Sequence, residues 1–203
     1  MALKTPVGTA SYPALFTPRP PRNPKDAAKY QLTVMLTEDA SKTEEFKNLQ
    51  KAALQAAFDE WGDSQKTKDS IKSGGIKMPF IKGEKVPEGW AVVLRLNSKE
   101  PVGVVDRYRD PKTGKARVIT DPGEVYPGSL VRASVGAYAY DVDGNKGVAF
   151  GLRNVQKVGD GPRIDGRSKA EDEFEGEDME DAAMPGEEDK TPVDKADMSD
   201  LLG

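Results

Sequence analysis

The stretch Ser129 to Val158, SLVRASVGAYAYDVDGNKGVAFGLRNVQKV, constrains the fold more than any other part of the chain. Apolar residues alternate with others on both sides of Asp143, Gly144 and Asn145, which is the chemistry of two long strands joined by a hairpin turn. Successive side chains of a strand point to opposite faces. Val131, Ala133, Val135, Ala137 and Ala139 therefore share one face of the first arm, and Arg132, Ser134, Gly136, Tyr138 and Tyr140 share the other. In the second arm Val148, Phe150 and Leu152 lie together, with Gly151, Arg153 and Lys157 opposite. The small apolar face suits a core. The face carrying cations and phenols suits a stacking platform for nucleobases, although tyrosines also pack under a loop or a second layer, because the ring fits any half-buried pleat.

Such a hairpin needs partner strands, and the chain before it supplies them. Leu3 to Phe16 has strand-forming Thr and Val, but Pro6, Gly8 and Pro13 make it an edge or bulged strand, with Tyr12 on either the contact surface or the core side. The Pro-rich segment that follows reads as a stiff, solvated loop bearing Arg19, Arg22, Lys25 and Lys29. Tyr30, Leu32, Val34 and Leu36 form one face of the next strand and are assigned to the core. Ser41 with Glu44 reads as a capping box opening a helix whose Phe46, Leu49, Ala53, Ala57 and Trp61 form a core-facing stripe, stopped by Gly62. Lys66 to Met78 is either a mobile loop or a weak helix with a glycine stop. Trp90, Val92, Leu94 and Leu96 point inward from another strand, and Arg95 points outward.

After a short strand, Pro101 to Asp106, comes a second cationic feature. Asp110-Pro111-Lys112-Thr113-Gly114 is turn chemistry, and Arg107, Arg109, Lys112, Lys115 and Arg117 surround it with Tyr108 among them. A protruding basic finger follows, in which Asp106 and Asp110 are expected to pair with Arg107 and Arg109. Charge divides the chain in the same sense: residues 1–169 hold 28 Lys and Arg against 20 Asp and Glu, whereas residues 170–203 hold 2 against 14. A basic body points to a polyanionic partner, and a tethered acidic tail is its simplest competitor. The tail lacks helix or strand patterning and is expected to be disordered. It ends in Asp197, Met198, Asp200, Leu201 and Leu202, an apolar tip in acidic company that suits docking into a partner's groove.

The chain contains no Cys and no His, which excludes thiol nucleophiles, Ser-His-Asp triads, disulfides and His or Cys metal sites. No phosphate loop occurs, and Asp141, Asp143 and Asn145 lack the spacing of a calcium loop. No cofactor or metal is expected. Neither a leader pattern nor an apolar run of membrane length is present, so a non-membrane, intracellular protein is the expectation.

Several short strands with one main amphipathic helix fit a mainly β, OB-fold-like Greek-key barrel. The expected divisions are 1–158 for that domain, 159–169 for a basic Gly-rich connector and 170–203 for the tail. The run YPGSLVRASVGAYAYDVDGNKGVAFGLRNVQKVGDGPRIDGRSKAEDEF, with the opening KTPVGTASYPALFTP, resembles the single-stranded-DNA-binding proteins of tailed bacteriophages over roughly Lys4 to Phe174. That resemblance implies an OB-fold, sequence-tolerant binding of single-stranded DNA and a role in phage replication, recombination or repair in the bacterial cytoplasm. It also implies an acidic tail that meets replication or recombination proteins. By strand parity and charge, the expected DNA contacts are Tyr12, Arg95, Arg107, Tyr108, Arg109, Lys112, Lys115, Arg117, Arg132, Tyr138, Tyr140, Arg153 and Lys157. The expected partners are single-stranded DNA and proteins that read the tail, with a homodimer left open. The alternatives are a non-enzymatic interaction or virion-associated protein and, with less support, a metal-dependent nuclease.

Overall fold

The computed structural model describes residues 2–21 and 27–166. The tail residues Asp197, Met198, Asp200, Leu201 and Leu202, and the loop cations Arg22 and Lys25, lie outside the described residues. Nine strands appear among the described residues: β1 (Leu3–Lys4), β2 (Gly8–Arg19), β3 (Lys29–Leu36), β4 (Ile76–Lys77), β5 (Val92–Ser98), β6 (Gly103–Arg109), β7 (Ala116–Val118), β8 (Leu130–Val142) and β9 (Asn145–Gly159). Helices α1 (Glu44–Trp61) and α2 (Gln65–Lys72) separate β3 from β4.

Pairing of these strands produces a ring. β2 lies antiparallel to β3 and β3 to β5, β5 runs parallel to β9, and β9 pairs with β8 along the whole hairpin. β8 returns to β2 through Gly8↔Val131 and Thr9↔Leu130, giving the order β2-β3-β5-β9-β8 and an OB-fold-like Greek key. Leu32, Val34, Leu36, Leu94, Leu96, Val131, Ala133, Val135 and Phe150 fill it and are almost fully buried. The amphipathic stripe of α1, Phe46, Leu49, Ala53 and Ala57, joins that core, and the helix packs against β8, β9 and β1. Phe46, Phe80 and Phe150 stack edge to face at 5.4 and 5.6 Å, tying helix, loop and barrel together; each such pair contributes about 0.5–1.5 kcal/mol beyond its buried area.

Local chemistry shifts some boundaries from those read in the sequence. The N-cap of α1 is Thr43, whose Oγ1 accepts from Phe46 N at 3.4 Å, while Ser41 lies in the preceding 3₁₀ turn and donates to Glu38 O. Thr43 prevails because it is the extended residue, φ −70° and ψ 161°, immediately before the helix, where its hydroxyl meets an unpaired N–H of the first turn. Lys66 to Met78 holds all but the first residue of α2, which is capped by Ser64 and followed by Gly74 with φ +80°. Trp90 sits half-buried in the turn before β5 rather than inward on a strand, and Trp61 and Tyr30 are also only half-buried.

Two bulges shape the surface. β2 is bulged between Ser11 and Ala14, and Tyr12 there adopts φ +47°. In β9, Ser134 pairs with Asn154 and Val135 with Leu152, so Arg153 is an extra residue. Beyond it the parity reverses. Val155 enters the core at 1% exposure, Gln156 turns outward, and Lys157 falls on the side of Val155 rather than of Gly151 and Arg153 as alternation predicted. β6 runs parallel to this second half of β9, pairing Gly103 to Asp106 with Asn154 to Lys157, and β7 extends the sheet from there.

Candidate nucleic-acid interface

Five strands place one residue each in a single register row on the outside of the ring: Ala14, Gln31, Asn97, Gly151 and Gly136. Alternation dictates it, since the adjacent row of Leu32, Leu96 and Phe150 is the core. The outer row carries nothing larger than an amide, so the surface there is a shallow trough with rings and cations at its sides.

At the β2 end stands Tyr12, 67% exposed. The bulge turns its ring out of the strand, where it borders three contiguous grooves of about 540, 690 and 380 Å³. Arg19, Gln31, Thr33, Arg95 and Asn97 line the largest of these with it; Lys85, Pro87 and Trp90 line the smallest. Arg19 and Arg95 have no ion-pair partner among the described residues. At the other end Tyr138, 49% exposed, leans over Gly151. The Arg153 guanidinium covers Gly136 so closely that a Cβ at that position would stand 3.0 Å from Nη2. Lys29, Asn97, Lys99, Tyr138 and Arg153 border a groove of about 570 Å³. Tyr140 is half-buried and lies across Gly147, so its face is less available than that of Tyr138.

The finger is a separate group. Tyr108 is 61% exposed, with the Arg107 guanidinium 5.1 Å from its ring centroid and Nη2 donating to the phenol oxygen at 3.2 Å. Arg109, Lys112 and Lys115 are exposed, and the Asp110 carboxylate accepts from the backbone N–H groups of Lys112 and Thr113 to form the turn. Asp106 and Asp110 therefore do not pair with Arg107 and Arg109. Asp106 is 3% exposed, because β6 alternation puts it inward, and Arg117 Nε reaches its Oδ2 at 2.6 Å. Arg117 Nη2 holds Glu124 at 2.6 Å. These two carboxylates, Glu124 first and then Asp106, push the guanidinium pKa further above its already high ordinary value.

Arg117 thus braces the base of the finger. Arg132 Nε donates to Gln156 Oε1 at 2.8 Å, and Gln156 Nε2 donates to the Asp106 carbonyl, so Arg132 steadies the same junction while its charge faces outward. Lys157 pairs with Asp160 at 2.7 Å and lies over Tyr126.

Tyr126 anchors a strap that sequence patterning does not reveal. Lys157 and Arg163 stand 5.8 and 5.0 Å from its ring centroid, and its single O–H lies within hydrogen-bond reach of both the Asp160 carboxylate and the Gly161 carbonyl. Burial, and then the Asp160 carboxylate, raise its pKa above the ordinary phenol value. Residues 160–166 run back over Gly128, where φ is +117° and any Cβ would strike the Pro162 carbonyl. Arg163 and Ile164 thereby reach the grooves around Tyr12.

The sequence matches, over residues 2–184, the family model described as Enterobacter phage Enc34, ssDNA-binding protein. The chain belongs to this family. Among solved structures, the Enc34 single-stranded-DNA-binding protein in complex with ssDNA superposes with a TM-score of 0.62 at 18% identity, covering 79% of this chain and 88% of that one. The bacteriophage T7 single-stranded-DNA-binding protein gp2.5 superposes at 0.56 and 14% identity, covering 82% and 96%. At these identities the superpositions show a shared fold with the Enc34 family and with gp2.5. No curated protein sequence matches the chain. Among the described residues no helix is long and apolar enough to cross a membrane, and no cluster of acidic side chains is arranged to hold a metal ion.

Proposed function

We propose that this member of the Enc34 family is a non-catalytic coat for single-stranded DNA, acting in phage replication, recombination or repair in the host cytoplasm. The observation that carries this reading is the outer register row, Ala14-Gln31-Asn97-Gly151-Gly136, flanked by Tyr12 and Tyr138 and by Arg19, Arg95 and Arg153. Rings stack on any base because every base has a π-face, at about 1–3 kcal/mol each, and cations follow the backbone. Gln31 and Asn97 offer donors and acceptors without committing to one base. Affinity falls with salt by about 0.7 in log–log slope for each phosphate contacted. Titration with oligo-dT tests it, read by the fluorescence of Trp90, which borders the groove beside Tyr12. Salt-sensitive saturation is expected, and no binding at low ionic strength refutes the proposal.

The acidic tail, residues 170–203, is proposed as autoinhibitor and as docking element for replication or recombination proteins. Its 14 carboxylates against 2 lysines, tethered to a basic domain, compete at high effective concentration. Deleting it is expected to tighten DNA binding at low salt and to remove protein partners; unchanged affinity contradicts the inhibitory role.

A further inference from the structure

The ring is not the whole sheet. β9 is longer than the barrel needs, and past the Arg153 bulge it carries β6 and β7 on one edge and β8 and then β1 on the other. This makes a second outward face. One of its rows joins Lys4, Ser134, Asn154 and Gly103, and the next joins Arg132, Gln156, Val105 and Val118. A shallow groove of about 200 Å³ crosses the two rows, bordered by Lys4, Val105, Arg132, Ser134, Asn154 and Gln156. Arg107 continues the outward line of Val105.

We infer that this second face carries the same DNA strand onward from the barrel trough, a reading that rests on the proposed function. Three observations point there. The two surfaces meet at consecutive residues: the Arg153 guanidinium closes the Tyr138 groove, and its neighbour Asn154 borders the second one. Charge is one-sided, since neither row holds a carboxylate, Asp106 is turned inward onto Arg117, and Lys4, Arg132 and Arg107 have no ion-pair partner among the described residues. The remaining surface chemistry, Ser134, Asn154 and Gln156, hydrogen-bonds phosphate and sugar without reading sequence. Beside Arg107 stands the exposed Tyr108 ring, whose hydroxyl accepts from Arg107 Nη2 and whose face would take a base.

The test compares wild-type full-length protein with Lys4→Gln/Arg107→Gln, neither residue being part of the barrel trough. Two oligo-dT probes are used, of about 8 and about 16 nucleotides, within the span one OB-fold covers. The variant is expected to melt as wild type and to bind the shorter probe unchanged. With the longer probe it loses about tenfold in affinity near physiological salt, and the salt slope falls by about 1.4, two phosphate contacts at about 0.7 each. An equal loss on both probes, or no loss on either, overturns the inference. The second result would assign the face to an acidic protein instead. If wild type itself binds neither probe, the proposed function fails rather than this extension of it. Arg107→Gln and Lys4→Gln singly provide the control for folding, each expected to give about half the change in slope.

Discussion

Tyr12 offers the sharpest separation of function from stability. A non-glycine residue at φ +47° carries roughly 1–2 kcal/mol of backbone strain. Its ring is mostly exposed, so truncation removes only about a third of the 150–250 Å² that an aromatic side chain buries, or roughly 1.5 kcal/mol at about 25 cal/mol per Å². Tyr12→Ala loses that packing and keeps the strain. Tyr12→Gly loses the same packing and releases the strain, at a cost of about 0.5–1 kcal/mol in unfolded-chain entropy. The glycine variant is therefore expected to equal or exceed the alanine variant in stability by up to about 1.5 kcal/mol, the reverse of the usual order in a strand. Both are expected to lose DNA affinity, by about 1–3 kcal/mol or roughly 5- to 150-fold, if the ring stacks a base. Urea denaturation measures the first quantity and oligo-dT titration the second. A glycine variant clearly less stable than alanine would refute the strain argument, and full affinity in both variants would refute the stacking role.

Tyr138→Ala is expected to weaken binding without lowering the melting temperature by more than a few degrees, checked by titration and calorimetry, because half of the residue is already solvated. Arg117→Ala should lower the melting temperature more than Arg109→Ala does, since only the former leaves the buried Asp106 carboxylate without its partner; equal melts would show that the brace is unimportant. Trp61→Phe should retain the DNA-induced fluorescence change and Trp90→Phe should lose it, because Trp90 alone of the two borders the groove. The Tyr126 phenol, with its folded-state pKa raised, favours the folded strap while neutral. That contribution is complete below the ordinary phenol pKa and is lost as pH rises through the raised value, so an alkaline titration followed by phenolate absorbance should show one late-titrating tyrosine that Tyr126→Phe removes.

Alternation rules carried most of the fold. The two-residue period of Tyr30 to Leu36, the helical stripe from Phe46 to Ala57 and the Asp-Gly-Asn turn each gave an element whose buried face the structure retains. Those signals are local, and each is reinforced by burial. What parity did not reveal depends on contacts remote in sequence. Asp106 finds Arg117 across a hairpin instead of its neighbours, Tyr126 finds Arg163 across the strap, and Trp90 acquires its groove position from the turn that delivers β5. Gln31 and Asn97 face outward by alternation, yet only the register of three strands shows that they share a row with Gly151.

Two of the departures from strict alternation fall at the proposed DNA surface. The β2 bulge delivers Tyr12, and the Arg153 bulge in β9 places a guanidinium over Gly136 while reversing parity from Asn154 to Lys157. The same sequence run through the sheet without a bulge would keep Lys157 outward and turn Gln156 and Asn154 toward the core, where their amides would lack partners. It would also carry Val155 out of the core row it shares with Val104 and Ala133. One inserted residue therefore lets a single 15-residue strand serve the barrel at one end and the β6–β7 sheet at the other. Deleting Arg153 is accordingly expected to cost little more than Arg153→Ala, because Leu152 then joins Asn154 in regular alternation and the pairings with Val135 and Ser134 are kept. Both variants therefore remove one cation from the trough without shifting the second face, so both are expected to unfold cooperatively and to lose DNA affinity alike, as denaturation profiles and oligo-dT titrations of the two would show; loss of cooperative unfolding in the deletion alone would refute this account of the bulge.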